Sequence, residues 1–133
     1  MKFCEYEFKK YIVSAIRDLG FKELSPIQKM VLDNLKSDKN IIVMSKTGSG
    51  KTHAFLLPIF NDLDEMDKNC QAVIVAPTLE LARQIYKVAQ HIASFSPEAI
   101  TIKAYYGGTD MVREMEKIKT NPPQIVVATP GKL

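Results

Sequence analysis

The 133-residue sequence predicts an α/β fold in which helices cover both faces of a parallel β-sheet. Short continuous apolar runs alternate with amphipathic helical segments, a pattern typical of a buried parallel sheet. A glycine-rich turn directly follows the first of these runs. Hydrophobic residues make up 46% and charged residues 25% of the chain, which indicates a globular domain and argues against a disordered or disulfide-stapled chain.

Two helices are predicted ahead of the sheet. Residues 8–19 carry apolar side chains at helical spacing, and Gly20 follows as a C-terminal cap. Residues 25–28 (Ser-Pro-Ile-Gln) predict the start of the second helix. Serine is suited to the N-cap, proline to the first helical position, and glutamine lies three residues after the serine.

The rest of the sequence alternates between strand and helix patterns. The predicted strands are 41–44, 71–76, 100–106 and 124–128, and the predicted helices between them are 51–62, 79–93 and 110–119. Ligands of parallel sheets bind beyond the carboxyl ends of the strands. The functional loops are therefore expected at 45–52, 77–80, 107–110 and 129–132.

The turn after the first predicted strand has the composition of a phosphate-binding loop. It consists of Ser45, Lys46, Thr47, Gly48, Ser49, Gly50, Lys51 and Thr52. Its glycines allow backbone N–H groups to approach a phosphate, towards which the positive end of the next helix also points. Lys51 is placed to reach the β- and γ-phosphates, and the Thr52 hydroxyl to ligate Mg²⁺, so both are predicted catalytic residues. The alternative is a simple Gly-Ser turn followed by a lysine.

The predicted strand ends lack the acidic residue that phosphate-loop NTPases use to hold Mg²⁺. The strands run into Pro77, Gly107 and Thr129, and Asp110 has the position of a residue in the first turn of a helix. We therefore expect a chain that binds a nucleotide without completing its hydrolysis. Either the acid lies beyond Leu133 or the chain is a binding module.

Gln28 has two interpretations. Its side chain can close a capping box onto Ser25, which the spacing alone favours. An amide that donates and accepts hydrogen bonds at once also fits the N6 and N7 edge of adenine. Guanine presents an acceptor where adenine presents a donor, so that contact would select ATP.

The order of the motifs along the chain adds to what each motif indicates. The phosphate loop is preceded by Phe3, Gly20-Phe21 and residues 25–28. It is followed by residues 77–82 (Pro-Thr-Leu-Glu-Leu-Ala), the double glycine at 107–108 and residues 129–132 (Thr-Pro-Gly-Lys). Together they resemble the DEAD-box RNA helicases, whose Q motif, phosphate loop, motif Ia, double glycine and motif Ib occur in this order. The resemblance implies a Q-motif helical region at 1–36 and a partial RecA-like ATP-binding lobe at 37–133, within one structural domain.

The resemblance also implies a role for individual residues. Phe21, Ser25 and Gln28 would contact adenine, and Phe3 would support that pocket. The loop from Ser45 to Thr52 would hold the triphosphate of ATP, with Mg²⁺. Single-stranded RNA would be contacted along its backbone by Pro77, Thr78, Gly107, Gly108, Thr129, Pro130, Gly131 and Lys132. From the residues alone, the threonines of this set are better explained as helix N-caps.

The sequence departs from the family pattern in its RNA-binding blocks. Leu79 stands where the family has arginine, and Lys132 replaces a second arginine. We expect weaker RNA binding than is usual for the family, unless Arg83 compensates. The Asp-Glu-Ala-Asp block and the second RecA-like lobe with its arginine fingers are absent from this sequence. The expectation is an N-terminal helicase lobe, cut before the metal-binding acid, that binds nucleotide weakly and does not hydrolyse it.

Two other functions stay open, a phosphate-loop NTPase of another class and a non-enzymatic nucleotide- or RNA-binding module. The net charge of +3 permits an anionic partner without requiring one. No apolar run approaches the roughly 20 residues that span a bilayer, so no membrane partner is expected. Cys4 and Cys70 form no metal or redox spacing, which indicates a reducing, cytoplasmic environment.

Overall fold

The computed structural model of the protein describes residues 7–35, 37, 39–44, 51–105 and 122–130. Within these ranges the helices are α1 (Lys10–Asp18), α2 (Pro26–Asn34), α3 (Lys51–Asp62) and α4 (Leu79–Ala93), and the strands are β1 (Ala72–Val75), β2 (Ile102–Tyr105) and β3 (Ile125–Ala128). The chain divides into two compact units, Met1–Asp62 and Leu63–Leu133. The motif-based division after residue 36 stays a prediction.

The first unit contains α1, α2 and α3. The buried face of α1 consists of Tyr11, Ile12, Ala15 and Ile16. The helix ends before Gly20, whose φ of 76° is the left-handed conformation that glycine adopts without steric cost. The Gly20 cap, the second helix beginning after Ser25 and the helix at 51–62 are therefore all confirmed. No helix in the described ranges has the length and hydrophobicity of a membrane span.

The second unit contains a three-stranded parallel sheet with the strand order β1-β3-β2. The last residues of β1 and β2, Val75 and Tyr105, both pair with Ala128 at the end of β3. The three carboxyl ends therefore lie at one edge of the sheet. The central strand β3 is the most buried, and α4 packs on β2 and β3. The predicted strands 71–76, 100–106 and 124–128 and the predicted helix 79–93 are confirmed, with strand ends shorter by one or two residues where they are described; residue 106 lies outside the described residues.

The prediction of a strand at 41–44 is wrong for this structure. These residues belong to no strand, and the side chains of Ile42 and Met44 are 93% and 92% exposed. A short apolar run becomes a strand only where a neighbouring strand supplies its hydrogen bonds and buries its side chains. The described strands all belong to the second unit, where they pair with one another. The predicted helix at 110–119 lies outside the described residues.

Gln124 ties together the amino ends of the strands. Its side chain is fully buried; Oε1 accepts a hydrogen bond from Thr101 N at 2.9 Å. Its Nε2 donates to the carbonyl oxygens of Glu65 (3.1 Å) and Asp67 (2.9 Å). These hydrogen bonds connect the amino-terminal edge of the sheet to the loop that contains Glu65 and Asp67.

Candidate nucleotide and nucleic-acid sites

The phosphate-side residues, Lys51 and Thr52, are the predicted contacts to the phosphates and Mg²⁺ and lie in the first turn of α3. Lys51 is exposed and Thr52 is half-buried, and the turn contains no acidic residue. The first N–H groups of a helix have no hydrogen-bond partner within the helix, and the amino end of the twelve-residue α3 carries a partial positive charge, which favours an anion. Residues 45–50 of the predicted loop lie outside the described residues. The part of the loop that the structure describes therefore has the electrostatics that a phosphate requires.

Helix α3 is held along its length by the other two helices of its unit. Ala54 forms a buried cluster with Ile27 and Val31 of α2. At the other end, the Tyr11 hydroxyl of α1 donates a hydrogen bond to the carbonyl oxygen of Phe60 at 3.2 Å. Phe60 itself is fully buried. These contacts fix the position of the helix end that carries Lys51.

The start of α2 is a complete capping box. Ser25 Oγ accepts from the Gln28 backbone N–H at 3.4 Å, and Gln28 Oε1 accepts from the Ser25 N–H at 3.0 Å. The capping interpretation of Gln28 is therefore confirmed. The Gln28 side chain is only 4% exposed. The contact of Gln28 with adenine stays a prediction.

Phe21 is fixed at its backbone by the end of α1. The Gly20 N–H donates to Arg17 O at 2.9 Å and the Phe21 N–H to Ile16 O at 3.3 Å, the two hydrogen bonds of a Schellman motif. Phe21 is 42% exposed, and its ring meets the ring of His53 edge-on. Phe3, predicted to support this pocket, lies outside the described residues.

The second candidate surface is the carboxyl edge of the sheet. Thr78 is the N-cap of α4, and its hydroxyl accepts a hydrogen bond from Leu81 N at 3.2 Å. Thr129 follows β3, and its N–H donates to Tyr105 O at 3.1 Å. Pro77 and Pro130, which adjoin the two threonines, are exposed. The structure thus brings Pro77, Thr78, Thr129 and Pro130 to the carboxyl ends of neighbouring strands; Gly107, Gly108, Gly131 and Lys132 lie outside the described residues.

A groove begins at the amino end of α4. It is lined by Thr78, Leu79, Glu80, Arg83, Gln84 and Lys87. Leu79, Arg83 and Lys87 follow one another at four-residue intervals, so their side chains share one face of the helix. The groove thus has the cations Arg83 and Lys87 one and two turns beyond the leucine that stands at the family's arginine position. Lys87 was not singled out from the sequence, although its spacing from Arg83 was a usable signal.

His53 was also missed from the sequence. It is one of two histidines in the chain and directly follows Thr52, which was the available signal. Within the described residues, no group of three or more His, Cys, Asp or Glu side chains is placed to hold a metal ion. The contact of the Thr52 hydroxyl with Mg²⁺ stays a prediction.

The family model described as "DEAD/DEAH box helicase" matches residues 25–133. The chain therefore belongs to the DEAD/DEAH box helicase family. This membership confirms the predicted family. It excludes the alternative that the chain is a phosphate-loop NTPase of another class.

Similar proteins include the DEAD-box ATP-dependent RNA helicase CshB of Bacillus cereus, which is 43% identical over 133 residues, covering 98% of this chain and 30% of that protein. CshB of Bacillus subtilis is 42% identical, with 99% and 30% covered. A solved structure of a DEAD box protein from Methanococcus jannaschii superimposes with a TM-score of 0.85 at 32% identity, covering 98% of this chain and 35% of that one. The likeness confirms the predicted RecA-like α/β fold. The chain spans 30% of the length of these curated relatives.

Proposed function

We propose that the chain is the ATP-binding lobe of an ATP-dependent RNA helicase, which unwinds or remodels RNA. One observation carries this proposal. The base-side residues Phe21 and Gln28 and the phosphate-side residue Lys51 belong to one compact unit. In that unit α2 and α3 share a buried cluster, so the distance between the two sides is fixed by packing. A nucleotide, which joins a base to a triphosphate, is the ligand that such an arrangement suits.

In this proposal Phe21, Ser25 and Gln28 hold the adenine, and the helix start at Lys51 and Thr52 holds the phosphates. Lys51 stabilises the charge on the transferring phosphoryl group. Mg²⁺ would supply neutralisation of the β- and γ-phosphate charge, with the Thr52 hydroxyl as one ligand. The loop residues Ser45, Lys46, Thr47, Gly48, Ser49 and Gly50 complete the phosphate site in the proposal.

The proposed RNA surface is the carboxyl edge of the sheet. Thr78 and Thr129 lie there beside the exposed Pro77 and Pro130, and the Thr78 hydroxyl caps α4. Hydroxyls, N–H groups and helix starts contact sugar and phosphate oxygens, which carry no sequence information. The proposal therefore includes single-stranded RNA as partner without sequence preference, with the further contacts at Gly107, Gly108, Gly131 and Lys132.

The 133-residue chain by itself is proposed to bind ATP weakly and not to hydrolyse it. No group of three or more His, Cys, Asp or Glu side chains among the described residues is placed to hold a metal ion. In the proposal the metal-binding acid and the arginine fingers come from the longer protein, whose second RecA-like lobe closes over the nucleotide. A non-enzymatic binding module is the alternative function.

Phosphate release tests the proposal directly. The chain is incubated with ATP, Mg²⁺ and single-stranded RNA, beside a longer protein that carries both lobes. We expect RNA-stimulated release by the longer protein and none by the chain. RNA-dependent ATP hydrolysis by the chain alone would contradict the proposal that the longer protein supplies the missing catalytic groups. No ATP hydrolysis by the longer protein would favour the binding module.

We also propose a cytoplasmic location. Cys70 is a free and exposed cysteine. An exposed thiol stays reduced in the cytosol, whereas oxidising compartments favour disulfides.

A further inference from the structure

His53 joins the two sides of the proposed ATP site. Its ring centroid lies 5.5 Å from that of Phe21, and the two ring planes are inclined by 85°. Nearly perpendicular rings at this distance form the edge-to-face pair that aromatic side chains prefer. Phe21 is a proposed adenine contact, and His53 directly follows the proposed phosphate residues Lys51 and Thr52.

The orientation of the Phe21 ring depends on contacts of the ring itself. The Schellman hydrogen bonds at Gly20 and Phe21 fix its backbone, but they do not fix the rotation of the ring about the Cα–Cβ bond. Phe21 as a whole is 42% exposed, so the residue lies partly open to solvent. A base that stacks on an exposed ring must order that ring, which costs conformational entropy.

His53 is itself held firmly. It lies in the first turn of α3 and is half-buried. The next residue, Ala54, belongs to the buried cluster with Ile27 and Val31 of α2. His53 is less exposed than Phe21 and its ring nitrogen Nε2 is buried, so His53 is the more enclosed member of the aromatic pair.

We propose that His53 is a positioning residue, which holds the Phe21 ring in the orientation on which adenine stacks. The inference rests on the proposed ATP site and adds a residue to it. His53 acts through Phe21 and not on the nucleotide itself. Since His53 and Lys51 share one helical turn, the contact also sets the distance between the base and the phosphates.

The test compares ATP with inorganic tripolyphosphate, which has the phosphates and no base. In titrations of the 133-residue chain with Mg²⁺, we expect His53→Ala to weaken ATP binding about two- to tenfold, the size of an aromatic pair's contribution. Tripolyphosphate binding should stay unchanged, which also shows that the variant is folded. His53→Phe keeps a ring at this position and should restore most of the lost ATP affinity.

His91 provides a matched control. Its ring packs on Phe95 with a centroid distance of 5.3 Å and an interplanar angle of 67°, in the second unit of the chain. His91→Ala removes the same side chain from the same kind of pair, in the unit that does not contain Phe21, Lys51 or Thr52. It should leave the affinity for both ligands unchanged.

A double-mutant cycle tests whether His53 acts through Phe21. In a Phe21→Ala background, His53→Ala should cause no further loss of ATP affinity, because the ring that it positions is gone. An additive loss would overturn the inference and assign His53 a direct contact with the nucleotide. Equal losses for ATP and tripolyphosphate, or no loss for either, would also overturn it.

A second measurement separates this inference from the proposed function. Without any nucleotide, the NMR signals of the Phe21 ring should shift and sharpen in His53→Ala and stay in place in His91→Ala. If these signals change but the wild-type chain binds ATP no better than tripolyphosphate, the proposed adenine site fails while His53 still positions the ring. If they do not change, the positioning role is wrong whatever the chain binds.

Discussion

The two proposed binding surfaces of the chain are built in different ways. In the first unit the site consists of side chains fixed at helix ends. Gln28 is buried in a capping box with Ser25, and Phe21 packs on His53. In the second unit Thr78 and Thr129 follow the ends of parallel strands, with exposed neighbours along an open groove on α4.

The difference corresponds to what each ligand requires. A base is distinguished by the donors and acceptors on its edge, and only side chains held in place can read them. An RNA backbone repeats the same sugar and phosphate, so a row of strand ends and helix starts is sufficient. The first surface is therefore suited to selectivity, and the second to contact with any sequence.

The largest expected effect is on the phosphate side of the first surface. Lys51→Ala should weaken ATP binding roughly ten- to a hundredfold, because a hydrogen bond to a charged group contributes about 1.5–3 kcal/mol. Isothermal titration of the chain with ATP and Mg²⁺ measures it. Lys29→Ala is the control, since Lys29 is an exposed lysine of the same unit that pairs with Asp33 at 3.5 Å. Equal ATP affinities of Lys51→Ala and Lys29→Ala would show that the phosphates do not bind at Lys51.

The second prediction concerns the stability of the three-stranded sheet whose carboxyl edge forms the proposed RNA surface. Gln124→Ala leaves Thr101 N and the carbonyl oxygens of Glu65 and Asp67 without their buried partner. We expect a loss of about 2–3 kcal/mol in the free energy of unfolding, measured with urea.

Gln71→Ala is the control for that measurement. Gln71 makes similar hydrogen bonds to Asp64 and Asp67, but it is exposed, so water can replace them. Its loss should be below about 1 kcal/mol. If both variants lose the same stability, burial of Gln124 is not what holds the strand ends.

The third prediction concerns selectivity at Gln28. Gln28→Ala should reduce the ratio of ATP to GTP affinity to near one and lower the free energy of unfolding by about 1 kcal/mol. Thr78→Ala also removes a capping side chain, from α4 in the second unit, and should lower stability without changing the nucleotide ratio. A preference for ATP that survives in Gln28→Ala means that the glutamine only caps its helix.

The smallest effect is expected in the groove on α4. Leu79→Arg should raise affinity for single-stranded RNA several-fold and steepen its salt dependence by about one counterion. Fluorescence anisotropy at two salt concentrations measures both. Leu81→Arg is the control, because Leu81 has a similar exposure (37% against 39%) but does not line the groove. Equal gains in both variants would show a general charge effect and no site at Leu79.

Features set by hydrogen bonds between near neighbours were predictable from the sequence. The Gly20 cap, the Ser25 capping box and the helix at 51–62 depend on residues within one or two helical turns of one another. The parallel strands of the second unit were also predictable, because each carries its own continuous apolar run.

Features set by distant partners were not predictable. The run at 41–44 has the same apolar pattern as β1, yet strand formation depends on a partner that no local pattern reveals. The contact of His53 with Phe21 and the hydrogen bonds of Gln124 to Glu65 join residues far apart in the chain. The residues next to His53 and Gln124 in the sequence form no motif that predicts these contacts.

The most direct test of the central claim is a titration of the wild-type 133-residue chain with ATP and with GTP, each with Mg²⁺. The claim is that the first unit combines an adenine-selective end with a phosphate-binding end. It predicts measurable binding of ATP and clearly weaker binding of GTP, because guanine presents an acceptor where Gln28 requires a donor. Binding of GTP as tight as that of ATP, or tighter, would contradict it.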